Sequence, residues 1–122
     1  MLFRSLERIG LAGQADKSPR ALPLGQRKRL EVARAIALDP RLLLLDEPLA
    51  GLSSAEAATM ADLIRTLPAS GITVVLVEHN LGEVLRVANR IVVLDAGIVL
   101  AEGAPAEVMA RADVRQAYTG TS

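Results

Sequence analysis

Two acidic residues, Asp46 and Glu47, follow directly after a run of four leucines at residues 42–45. An apolar run without alternation is typical of a strand that is fully buried in a parallel sheet. Because successive residues of a strand point in opposite directions, the two carboxylates that leave it can serve different tasks. One could hold a metal ion while the other faces a ligand. The alternative is a solvated acidic turn before Pro48.

The single histidine, His79, follows a second apolar run at residues 72–77. If the two strands are parallel neighbours, His79 and Glu47 meet at the edge of the sheet where ligands bind in such folds. A lone histidine is more often a structural or surface residue, so only its position level with the acid pair favours a functional role. Glu78 is interpreted as the outward neighbour of the strand, without a role of its own.

A third candidate is the start of the helix predicted over residues 25–38, which opens with Gly25 and Gln26. The first turn of a helix has free N–H groups and the positive end of the helix dipole, so it suits a phosphate. Gly25 lets the backbone come close to such a ligand. The three bases that follow, at residues 27–29, are expected to form a solvated face.

The elements that must position these residues alternate between strands and helices. Strands are predicted over 42–45, 72–77, 91–94 and 98–101, and helices over 5–13, 25–38, 55–67 and 81–88, with a helix starting at Pro105 and a last turn over 114–118. Ser53 or Ser54 is expected to cap the 55–67 helix. This order indicates an α/β fold, a mostly parallel sheet with flanking helices.

Composition excludes several classes of protein. The net charge is zero and aromatic residues make up 2% of the 122 residues, which argues against a nucleic-acid binder. There is no cysteine, so disulfides and thiolate metal sites are excluded. No apolar run approaches the ~18 residues that a membrane span needs.

Taken together, the ordered motifs in the stretch LPLGQRKRLEVARAIALDPRLLLLDEPLAGL resemble the ATP-binding subunit of ATP-binding cassette (ABC) transporters. Residues 22–26 resemble the signature motif, usually LSGGQ, residues 42–47 resemble Walker B with its catalytic glutamate, and residues 50–53 resemble the D-loop. The resemblance covers essentially all of residues 6–120. The form of the signature, the EHN after the second strand and the final VRQAYTG are similar to branched-chain amino-acid importers, and urea and amide importers share these features.

The resemblance implies a role for each matched residue. Asp46 would help to hold Mg2+, Glu47 would polarise the attacking water, and His79 would contact the γ-phosphate of ATP. The signature residues would reach across a dimer of two cassettes to ATP held mainly by the partner. Ser53 stands at the D-loop position, to which communication between the two sites is assigned. These signature residues are Leu22, Pro23, Leu24, Gly25 and Gln26.

Three residues depart from the family pattern. Pro23 replaces the usual serine of the signature and has neither a hydroxyl nor an N–H, so one phosphate contact must be missing or replaced. Leu24 replaces the first glycine of the signature, and Ser53 replaces the usual aspartate of the D-loop. Similar changes are compatible with the amino-acid importer branch, so they do not predict an inactive protein.

A larger departure is that no G-x-x-x-x-G-K-[ST] motif occurs, since the lysines are Lys17 and Lys28. The resemblance therefore implies a partial P-loop NTPase fold, the second half of a cassette. Residues 1–40 would be a remnant of its helical subdomain, and residues 41–122 the C-terminal part of its ATPase core. We expect the chain alone to be poorly soluble, to bind ATP weakly and to hydrolyse none.

The implied partners are a second cassette, membrane permease subunits and, indirectly, a solute-binding protein, with no nucleic acid. The implied location is peripheral, at the cytoplasmic face of the membrane. Three alternatives remain: a short non-catalytic protein that lends its signature helix in trans, a non-transport member of the same family, and a phosphoacceptor receiver domain. The last does not explain the helix that Gly25 and Gln26 open.

Overall fold

The computed structural model describes residues 21–119, with side chains to residue 118. The chain divides into two compact units, residues 1–78 and 79–122. The first unit contains α1 (Leu24–Ile36), β1 (Leu42–Asp46), α2 (Ser54–Thr66), a 3₁₀ turn (Leu67–Ser70) and β2 (Thr73–Val77). The second contains α3 (Leu81–Val87), β3 (Ile91–Asp95), β4 (Ile98–Gly103), α4 (Pro105–Met109) and α5 (Ala112–Thr119).

β1 and β2 pair in parallel, as predicted, with Leu44 opposite Val75 and Asp46 opposite Val77. The two faces of this pair differ. Leu43 is 5% exposed and belongs to the core, whereas Leu44, on the other face, is 69% exposed. The prediction that this leucine run is buried on both faces is therefore wrong for this chain, because no described element covers the face of Leu44 and Val75.

The buried side of the first unit is built from α1, α2 and the 3₁₀ turn. Ala33 is fully buried, with Leu30 and Leu63 packed against it. Met60 and Leu67 are the largest fully buried side chains among the described residues of this unit. An alanine where the two helices approach allows close packing. The core thus fixes α1 to the segment that follows β1.

Ser53 caps α2, and it is one of the two residues that were predicted to do so. Its hydroxyl accepts a hydrogen bond from the Glu56 N–H at 3.2 Å, and a Glu56 carboxylate oxygen accepts one from the Ser53 N–H at 3.4 Å. This reciprocal pair is a capping box, which satisfies two backbone donors that the helix cannot. The residue at the D-loop position therefore starts the helix.

We expect Ser53→Ala to lower the free energy of unfolding by about 1 kcal/mol, because the Glu56 N–H loses its acceptor. Ser54→Ala is the matched control, since Ser54 is the first residue of the helix and alanine is favourable there. Urea titrations at low micromolar concentration measure both. Equal effects of the two substitutions would show that the cap contributes nothing.

The second unit is a β-hairpin followed by two short helices. β3 and β4 pair antiparallel, with Asp95 opposite Ile98. Ala96 and Gly97 connect them, both at positive φ (49° and 79°), as a two-residue type I′ turn requires. The turn was predicted, and so tight a turn forces antiparallel pairing of the two strands that it joins.

A separate core holds the second unit together. Its buried residues are Ile91, Ala101, Val108 and Val114. Pro105 is the first residue of α4, where its missing N–H costs nothing. At the start of α5, a hydrogen bond from Arg111 lowers the pKa of the exposed Asp113 carboxyl.

Most predicted bounds agree with the structure to within two residues. The helix predicted over 25–38 runs over Leu24–Ile36, and the one predicted over 55–67 runs over Ser54–Thr66. The helix predicted over 5–13 lies outside the described residues. Within the described part of the chain, no helix has both the length and the apolar character needed to cross a bilayer.

Candidate functional site

The acidic turn begins at the end of β1. Asp46 is the last residue of the strand and is exposed to solvent. Glu47 follows, half-buried, and its N–H donates to the Val77 carbonyl at 2.8 Å, which extends the parallel ladder by one residue. Its φ of 50° lies in the left-handed region, which is uncommon for residues other than glycine. The chain therefore turns sharply at the residue predicted to be catalytic.

Two side chains from outside the turn hold it in place. The ammonium of Lys28, on α1, donates to the Glu47 carbonyl oxygen at 2.8 Å. A carboxylate oxygen of Glu78, just beyond β2, accepts from the Leu49 N–H, also at 2.8 Å. Both residues correct the sequence interpretation, which assigned Lys28 to a solvated face and gave Glu78 no role. Each binds a backbone group of a distant segment, so the pairing of the elements was needed to find these roles.

The first turn of α1 faces the start of α2. The helix begins at Leu24, one residue earlier than predicted, and Pro23 precedes it without a side-chain cap. The N–H groups of this turn, which includes Gly25 and Gln26, have no acceptor within the helix. Leu22 is 6% exposed and therefore anchors the segment in the core. Of the predicted signature residues, Pro23 and Leu24 are the exposed ones.

Gly25 is buried, and a methyl group added to it would overlap the carboxylate of Glu56. A cavity of about 150 Å³ opens here and is lined by Gly25, Arg29, Ala55, Glu56 and Thr59. The carboxylate that closes the capping box on Ser53 thus also lies against the signature glycine. The structure brings the D-loop position and the signature together through Glu56, a contact that the sequence analysis did not predict.

The effect of Gly25→Ala on the free energy of unfolding should therefore depend on Glu56. Alanine is intrinsically better than glycine in a helix by ~1 kcal/mol, but here the methyl displaces the carboxylate from the capping box. We expect Gly25→Ala to be more favourable by about 1 kcal/mol in a Glu56→Ala background than in the wild type. Unfolding free energies of the four proteins measure this coupling. Asp62→Ala, on the same helix, is the control background and should give additive effects; coupling of equal size there would contradict the contact.

His79 is exposed and lies at the start of the second unit. The hydroxyl of Tyr118 donates to the His79 carbonyl oxygen at 3.2 Å and accepts a hydrogen bond from the Leu81 N–H. Tyr118 on α5 thus fixes the backbone around the histidine, which the sequence gave no reason to expect. The predicted meeting of His79 with Glu47 stays a prediction.

The candidate residues differ in how well they fit a metal ion and a phosphate. Among the described residues, no group of three or more His, Cys, Asp or Glu side chains could hold a metal ion. Asp46 offers one exposed carboxylate at a strand end, which fits an ion that takes most ligands from phosphate and water, as Mg2+ does. The uncapped first turn of α1 fits a phosphate. Asp46 and the first turn of α1 thus fit the two kinds of ligand that a Mg2+–nucleotide complex requires.

Comparison with known proteins shows which family the chain resembles. The model of the ABC transporter family matches residues 3–50, and that of the branched-chain amino acid ATP-binding cassette transporters matches residues 99–122. The solved ATP-binding cassette MJ1267 of an ABC transporter, in its ADP conformation, superimposes with a TM-score of 0.89 at 31% identity, over 98% of this chain and 48% of that one.

Curated relatives of the chain are ATP-binding proteins of transport systems as well. The branched-chain amino acid transport ATP-binding protein BraF of Pseudomonas aeruginosa is 40% identical over 116 residues, 94% of this chain and 46% of the relative. The lipopolysaccharide export ATP-binding protein LptB of Acidithiobacillus ferridurans is 40% identical over 115 residues, 94% of this chain and 48% of the relative. The chain thus spans about half the length of the curated relatives that it matches.

The fold is that of an ATP-binding cassette, a P-loop NTPase domain, of which this chain spans a part. The chain is similar to the ATP-binding subunits of ABC transporters and, over residues 99–122, to those of branched-chain amino-acid transporters. The resemblance stated from the sequence is confirmed at this level.

Proposed function

We propose that this chain is the catalytic and signature-bearing part of an ATPase subunit that drives import of branched-chain amino acids or related small solutes. The observation that carries the proposal is the hydrogen bond between Lys28 and the Glu47 carbonyl. It joins the helix whose first turn suits a phosphate to the turn that bears the acid pair, within one compact unit. Phosphoryl transfer depends on positioning and charge stabilisation, which such a link supplies.

In this proposal the acid pair has two tasks. Asp46, exposed at the strand end, is the ligand for Mg2+, which neutralises charge on the phosphates when it is bound. Glu47 is the general base that orients water and takes its proton. His79 faces the γ-phosphate. Support for the separation of roles comes from the backbone, because the left-handed φ of Glu47 turns the chain away from the strand direction that Asp46 still follows.

The first turn of α1 is proposed to serve a second cassette. N–H groups at Gly25 and the side chain of Gln26 reach the γ-phosphate of ATP held mainly by that partner. Leu22 supports this turn from the core, and Pro23 and Leu24 are presented on the surface. Ser53 contributes through its cap on α2, since no carboxylate stands at this D-loop position. One phosphate contact fewer is expected than with the usual serine.

The remaining partners follow from the family. Permease subunits would hold the ATPase at the cytoplasmic face of the membrane, and a solute-binding protein would deliver the substrate to them. A homodimer and a pair with a sister cassette are both compatible with the proposal. The similarity of residues 99–122 to the branched-chain amino-acid group supports the choice of substrate class.

Reading the gene upstream of the Met1 codon tests the proposal. An in-frame G-x-x-x-x-G-K-[ST] there would supply the loop that cradles the α- and β-phosphates. The protein encoded by the full reading frame should then hydrolyse ATP with Mg2+. A stop codon and promoter at that place would instead favour a short non-catalytic module, whose partner-dependent nucleotide affinity would be lost on mutating Gly25 and Gln26.

A further inference from the structure

We propose that Lys28 is a positioning residue that couples the first turn of α1 to the conformation of Glu47. The inference rests on the proposed role of Glu47 as general base. Lys28 would not touch nucleotide or water itself. It would act by fixing the peptide plane that follows Glu47, and so the direction in which the carboxylate is presented.

The contact is well placed for that task. Lys28 is half-buried, and its ammonium lies 2.8 Å from the Glu47 carbonyl oxygen, 19 residues along the chain. A hydrogen bond from a charged donor is stronger than one between neutral groups. Another donor to this carbonyl is the Ala50 N–H at 3.3 Å, a longer bond within the turn. Lys28 is thus the stronger of these two constraints on the carbonyl.

The backbone at Glu47 requires such a constraint. A non-glycine residue at positive φ is held there only when its surroundings determine it. Pro48 adds to this, because a residue before proline is normally driven towards extended conformations, whereas Glu47 has a φ of 50°. Without Lys28, the turn would lose a contact that opposes relaxation of this φ, and the carboxylate would turn with it.

Lys28 also lies close enough to the first turn of α1 to move with it when that turn contacts a phosphate. It is three residues after Gly25, so the two share a face of the helix. On that face, Gly25 lies against the start of α2, and Lys28 contacts the acidic turn. A displacement of the first turn of α1 along its axis would therefore pull on the Glu47 carbonyl.

Hydrogen exchange by the 122-residue chain tests the contact without nucleotide. Lys28→Met should raise the exchange rates of the Leu49 and Ala50 amides by about tenfold or more, and Lys28→Arg should restore most of the protection. Arg27→Met is the matched control, because Arg27 is an exposed cation on the neighbouring position of the same helix. Unchanged rates in Lys28→Met, or an equal rise throughout α2, would overturn the inference.

Turnover by the protein of the full reading frame tests the role. Lys28→Met should lower kcat about tenfold or more with KM for ATP within about twofold, because only the presentation of the base is lost. Lys28→Arg should recover kcat, and Arg27→Met should match the wild type. A raised KM with unchanged kcat would overturn the inference. Wild-type turnover in Glu47→Gln would instead overturn the proposed function, whatever the exchange rates show.

Discussion

Glu47→Gln is expected to lower ATP turnover by the protein of the full reading frame by about 10²–10⁴-fold. Glutamine keeps the size and most of the shape of the side chain but cannot take the proton of the attacking water. Nucleotide binding should persist, because the substitution removes a negative charge from the neighbourhood of the phosphates. The protein should therefore hold ATP without hydrolysing it, as measured by phosphate release alongside binding of a labelled nucleotide.

The matched control is Glu31→Gln, the same change at an exposed position of α1. It should leave both turnover and binding at the wild-type level. A loss of binding in Glu47→Gln that equals the loss of turnover would point to a structural role for the acidic turn. Turnover retained within about threefold would remove Glu47 from the chemistry, and Glu78, which accepts the Leu49 N–H, would be the next candidate.

The position of Glu47 could be predicted from the sequence because it depends on a short-range rule. A run of apolar residues predicts a strand, and the residue after the strand lies at its carboxyl end. The cap at Ser53 and the turn at Ala96 and Gly97 were predictable for the same reason. Each is determined by residues within four positions of one another.

Contacts across the chain were not predictable in this way. The Lys28 ammonium binds a backbone carbonyl, which every residue has, so no residue type at position 47 signals it. Glu78 likewise binds a backbone N–H. The Glu56 carboxylate lies against Gly25 because of the way α1 and α2 pack. Helical periodicity does not specify that packing. The places of the candidate site residues in the fold were thus predictable, and the residues that contact them were not.

One face of the β1–β2 pair is left uncovered by the part of the chain that the structure describes. Leu42, Leu44, Val75 and Val77 lie on this face and are 48–69% exposed. A continuous apolar surface of this kind is unusual on a stable soluble domain. The matched relatives are about twice as long as this chain, so a further part of a cassette is the occupant that we expect on this face.

Leu44→Ala should therefore have effects of very different size on stability in two contexts. In the 122-residue chain, where Leu44 is 69% exposed, it should change the free energy of unfolding by less than about 0.5 kcal/mol. In the protein of the full reading frame it should cost about 2–5 kcal/mol, because the truncation would then leave a cavity in a core. Pulse proteolysis at submicromolar concentration measures both while limiting self-association.

Leu43→Ala provides the control within the same strand. Leu43 is 5% exposed, on the face that already packs within this chain, so its truncation should cost about 2–5 kcal/mol in both contexts. A small cost for Leu44→Ala in both contexts would mean that the face stays uncovered in the longer protein. The apolar face would then have to be explained by association with another chain, and the expectation that a further part of a cassette covers it would be wrong.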